Sequence, residues 1–192
     1  MINTIEDALS FYKKKEKEFA EFDEPVLKLR SAPLYKLRTT VQNLGLPKTY
    51  FDCANRFVME NVSLGFFYFS PGVKDDLCAS LEFSNGEYRN PELSSQLLHV
   101  VAFEADIVAV AKGEPYHADG TVYYVDITSY PDIQTRPIAD NFEDFLILAS
   151  ALHEATLEEK GNPQDVISAL ALALSSKEDY VATWKEMAST VC

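Results

Sequence analysis

Three histidines, three cysteines and thirty carboxylates are the material this chain offers for chemistry. Metal binding needs several such side chains converging at fixed geometry. The one loose grouping is His117-Ala118-Asp119, with His99, Glu104, Asp106 and Asp126 on neighbouring strands and turns. It lacks HExxH or paired-cysteine spacing, and a solvent-facing loop histidine with acidic turn residues accounts for it. His153-Glu154 begins like HExxH, but the second histidine would fall on Leu157. For nucleophilic catalysis there is no GxSxG elbow, and no spacing ties Cys53 to His99 or His153. No glycine-rich phosphate loop occurs. The carboxylates are too numerous for spacing to single out a glycosidase pair. We therefore expect no enzyme activity, no metal and no cofactor.

The elements that carry these residues can be read from periodicity. Residues 3–22 predict an amphipathic helix with Ile5, Leu9, Tyr12 and Phe19 on one side, started by Thr4 with Asp7. Lys13, Lys14, Lys15 and Lys17 form its solvated face. Leu34, Leu37, Val41 and Leu44 predict a second helix ending at Gly45, and Leu46-Pro47 opens a third element carrying Tyr50, Phe51 and Phe57. Residues 62–69 and 77–83 predict paired strands around the Pro71-Gly72 turn, and residues 84–96 an exposed connection. The apolar run over residues 97–111 reads as a hairpin turning at 104–106, because Val100, Val101, Ile107, Val108 and Val110 are β-branched. A polar loop over residues 112–120 leads to a strand over 121–128, completing an antiparallel meander. After a loop with Pro131 and Pro137, Asp140 with Glu143 predicts the start of a helix running to about residue 160. Asn162-Pro163 starts another, and Ser176 with Asp179 a last one bearing Tyr180, Trp184, Met187 and Val191.

With 192 residues and 47% apolar side chains, one domain with a substantial core is expected. Its subdivisions are an N-terminal helical segment (1–33), a central unit (34–160) and a C-terminal helical extension (161–192). The net charge is -13, and it is uneven: residues 1–48 carry +2 and residues 49–192 carry -15. Phosphates repel such a surface, which argues against direct nucleic-acid binding. The odd cysteine count does not suggest a disulfide framework. No secretory leader is visible, and no run approaches the roughly 20 apolar residues that span a bilayer. A cytoplasmic protein is expected.

The string Gly120-Thr-Val-Tyr-Tyr-Val-Asp126, followed by Ile138-Ala-Asp-Asn-Phe-Glu-Asp-Phe-Leu146, resembles the end of the SUKH (Smi/Knr-like) domain. There a G-x-V-Y-x-x-D strand leads through a loop to an I/V-A-x-S/N-F-x-x-F-L helix. The hairpin over residues 100–110 and Leu44-Gly-Leu-Pro47 are similar to further elements of that family, so that the resemblance covers residues 34–152. The chain departs from the pattern at Asn61-Val-Ser-Leu-Gly65, where an NGG-like turn is usual, and in the helices after Gly161. The resemblance implies an α+β fold, a curved and mainly antiparallel sheet flanked by helices, here with additional C-terminal helices. Its GLP form is closest to the branch of bacterial immunity proteins.

That resemblance implies binding without chemistry: neutralisation of a cognate toxin, often a basic nuclease domain, by direct contact. An acidic body suits a basic protein partner. The expected interface lies on the sheet face or loops around Glu104, Asp106, Tyr123, Asp126 and Asp132, where outward aromatic rings would serve contact. A regulatory or small-ligand-binding domain without a toxin partner is the second reading, and a metal-dependent enzyme using His117 and Asp119 the third. A deep apolar pocket would favour the second and a shallow acidic concavity the first.

Overall fold

Thr4 starts the first helix by accepting the amide of Asp7, whose carboxylate accepts the Thr4 amide in return, the reciprocal cap the spacing predicts. From there the chain runs α1 (Ile5–Ala20), β1 (Lys28–Leu29), α2 (Leu37–Leu44), α3 (Lys48–Arg56), β2 (Phe57–Val58), β3 (Ser63–Leu64) and β4 (Phe67–Phe69). It continues through α4 (Leu77–Asn85), β5 (Leu97–Phe103), β6 (Asp106–Ala111), β7 (Val122–Asp126) and β8 (Gln134–Ala139). Three helices close it: α5 (Phe142–Leu157), α6 (Pro163–Ser175) and α7 (Glu178–Thr190). This computed structural model describes residues 1–73, 75–112, 120–159 and 161–191. Most of the polar loop expected over 112–120, with His117 and Asp119, lies outside the described residues.

The fold is α+β. Strands β3 to β8 form a six-stranded antiparallel sheet in sequence order, the extended form of the expected meander. Both faces of its centre are covered. One carries Leu98, Phe103, Val108, Val110, Val122 and Tyr124 against Phe142, Phe145 and Leu146 of α5. The other carries Leu97, Ile107, Ala109, Ala111, Tyr123 and Val125 with Leu93, a second apolar cluster. Burial on two faces explains why residues 97–111 are nearly continuous in apolar side chains where a half-exposed strand would alternate. A bulge between His99 and Val101 lets Val100 and Val101 both enter the helix-side core.

Several expectations are corrected. Residues 77–83 belong to helix α4 instead of a strand. Asp76 caps it by accepting the Ala79 amide at 2.9 Å, and Leu77, Cys78, Leu81 and Ser84 bury at helical spacing while Phe83 faces outward. The connection after it is only partly exposed. Arg89 donates to the carbonyls of Leu93, Ser94 and Leu97, and Asn85 pairs with both backbone groups of His99 at 2.8 Å. The proline-containing loop contains strand β8, where Pro137 stands opposite Tyr123 on an edge that needs no inward N–H from it.

Helix α5 is capped by Asn141, which accepts the Asp144 amide at 3.0 Å, one residue later than expected. Asp140 instead takes Lys177 and the Tyr180 hydroxyl. Ser176 ends α6 in the left-handed region (φ 54°) and does not cap α7. The C-terminal helices pack into the main core. Trp184 is fully buried, donates from Nε1 to the Ile138 carbonyl at 2.7 Å and lies 5.7 Å from the Phe67 ring, so α7 completes the main core. Near the other end, Arg30 forks onto Glu60 at 2.8 and 2.9 Å and reaches the carbonyls of Ala54 and Phe57, tying β1 to the end of α3.

Candidate protein-binding site

Strand pairing brings two turns to one end of the sheet. Because β6 pairs with both β5 and β7, the two-residue turn Glu104-Ala105 lies beside residues 127–133, which connect β7 to β8. Glu104 adopts φ 50°, the left-handed conformation a tight hairpin turn requires. Asp106 then staples the turns together: Tyr124 donates its hydroxyl to one carboxylate oxygen at 2.6 Å, and the amides of Ile127 and Thr128 donate to the other at 3.0 and 3.1 Å. Burial and the Asp106 carboxylate both push the Tyr124 phenol up.

Asp126 organises the next turn by accepting from the amide and hydroxyl of Ser129 and from the hydroxyl of Thr128. Its partial burial works to raise the carboxyl, but those donors outweigh it and hold the group below the usual range. Of the five residues singled out from sequence, Glu104 and Asp132 are exposed. Asp106 and Asp126 are half-buried, with their oxygens engaged inside the molecule. Tyr123, at 3% exposure, is a core residue of the second apolar cluster and offers no ring to a partner. Tyr130 does, at 68% exposure between Asp126 and Asp132. Sequence reasoning did not place it in the interface.

A concavity elsewhere on the molecule was missed altogether. An open groove of about 430 Å³ lies where the C-terminal ends of α1 and α5 meet the β3–β4 hairpin. Phe22, Phe66, Tyr68 and Leu157 wall it, Glu18 and Glu24 stand among its lining, and His153 borders it from within. Gly65, at φ 64°, lets the hairpin approach the His153 ring so closely that a Cβ there would stand 3.3 Å from it. The His153 Nδ1 lies 3.1 Å from the Tyr12 hydroxyl. Burial pushes His153 down to about 4, so the ring is neutral at pH 7. The contributing segments are separated by tens to more than a hundred positions, so no local motif marks the groove.

Among the described residues, no hydrogen bond joins Cys53 to His99 or His153. Cys53 is buried, which pushes its thiol up to about 12 and keeps it a poor nucleophile. His99 is bordered by Asn85 and Arg89, whereas His153 pairs with Tyr12. Among the described residues, no group of three or more His, Cys, Asp or Glu could hold a metal ion, and no helix is long and apolar enough to cross a membrane. No protein family, curated protein or solved structure matches the chain.

Proposed function

We propose that this chain is a protein-binding module of the Smi/Knr-like (SUKH) type, acting as an immunity protein that occludes a basic toxin domain without chemistry of its own. The observation that carries the reading is the acidic end of the sheet. There the exposed Glu104, Asp132 and Tyr130 project from turns stiffened by Asp106 and Asp126. A rigid platform of carboxylates around an aromatic ring is suited to a basic partner, because little side-chain and loop freedom is lost on contact. The strand and helix strings that resemble the family fall on β7, the end of β8 and the start of α5.

Calorimetry against any toxin-like product encoded by a neighbouring gene tests the proposal. Binding with a strong salt dependence is expected, and the Glu104→Lys/Asp132→Lys double variant should slow association about tenfold at low ionic strength. An unchanged on-rate would remove this surface from the interface. Failure to bind any neighbouring toxin would overturn the immunity role.

A further inference from the structure

We infer that the groove between α1, α5 and the β3–β4 hairpin is a receptor for a single arginine side chain presented by a protein partner. Three independent features select that chemistry. The first is aromatic surface: Phe22 is 71% exposed and Tyr68 56% exposed, and both border the cavity with Phe66. A guanidinium within about 6 Å of such faces is attracted by the ring quadrupole and stacks on them. Isolated exposed rings are ordinary; three around one concavity form a concave receptor.

The second feature is charge. Glu18 already holds Lys15 at 2.8 Å, whereas the Glu24 carboxylate makes no interaction with any described residue. It is a single acceptor beside an aromatic wall, and a planar guanidinium can fork onto it while its stem covers Leu157. The third is the backbone. Helices α1 and α5 both end at the groove, with Phe22 and Glu24 just past one and Leu157 last in the other, so the negative ends of two helix dipoles point to it. The neutral His153 ring adds no opposing charge, and its Nε2 has no hydrogen bond to a described residue. An anion would meet Glu18, Glu24 and two carbonyl-rich helix ends. A purely apolar side chain would make no use of Glu24.

This receptor does not depend on the acidic sheet end, and the experiment separates them. Amide chemical shifts of the isotope-labelled full chain are followed during titration with N-acetylarginine amide. N-acetylnorleucine amide and N-acetylglutamate amide serve as controls. Saturable shifts confined to residues 22–24, 63–68 and 155–158 are expected with the arginine probe, weak ones with norleucine and none with glutamate. Glu24→Gln and Tyr68→Ala should each weaken the arginine probe about threefold or more, while Glu104→Lys should leave it unchanged. Both groove positions are exposed, and the spectrum of each variant reports that it is folded. Shifts scattered over the acidic surface, equal response to norleucine, or unaltered binding by Glu24→Gln would overturn the assignment.

Discussion

Asp106 uses both carboxylate oxygens inside the molecule, for one hydroxyl and two amides. Charge-assisted bonds of this kind contribute about 1.5–3 kcal/mol each and are not additive. Asp106→Ala should therefore lower stability by about 2–4 kcal/mol in urea unfolding, because the Ile127 and Thr128 amides lose their acceptor. Glu104→Lys, two residues away and exposed, should stay within about 0.5 kcal/mol of the parent. If the two variants behaved alike, Asp106 would not be the staple. Sequence marked both as acidic turn residues and could not tell them apart, since the partners of Asp106 lie 18 to 22 positions downstream. Tyr123 was misjudged for a related reason. Alternation within a strand says which residues share a face, but not whether the second face is also covered.

Elements with local signals were the most legible. The Thr4–Asp7 cap, the left-handed Gly45 (φ 72°), Asn162-Pro163 and the hairpin turn at Glu104 all follow from contacts within a few residues. Residues 77–83 match strand and helix templates equally well, and only the burial of Leu77, Cys78, Leu81 and Ser84 together decides for α4. The shift of the α5 cap by one position has the same origin, because α7 draws Asp140 away through Lys177 and Tyr180. These two neighbours should separate on mutation. Asn141→Ala should cost about 1 kcal/mol as a lost helix cap. Asp140→Ala should leave α5 intact but speed hydrogen exchange in α7, where the Tyr180 hydroxyl loses its acceptor. Equal exchange in both helices for the two variants would contradict the assignment.

For the whole molecule, two neutral imidazoles set the response to acid. Burial holds His99 and His153 at about 4 in the folded chain, against an ordinary value near 6.5 when unfolded. Between those values the unfolded chain binds more protons, so stability falls as pH drops from about 6.5 toward 4, by up to roughly 1.4 kcal/mol per pH unit per histidine. Burial of Glu60 works to raise its carboxyl, but the Arg30 fork prevails and holds it low. Its contribution is present at neutral pH and is lost in turn as pH falls through its folded value. Urea midpoints from pH 7.5 to 4.5 should show this slope, reduced by His153→Gln; a flat profile would contradict the burial of both rings. Finally, both margins of the six-stranded sheet are poor templates for strand addition. At one side β3 is only two residues long. At the other, β8 carries Pro137, its Ile138 carbonyl is taken by the Trp184 indole, and α7 lies along it through Arg136 and Glu186. Main-chain recruitment onto the six-stranded sheet, whether by a partner's extended segment or by another copy misassembling into a fibril, is thus disfavoured among the described residues, which leaves recognition there to side chains.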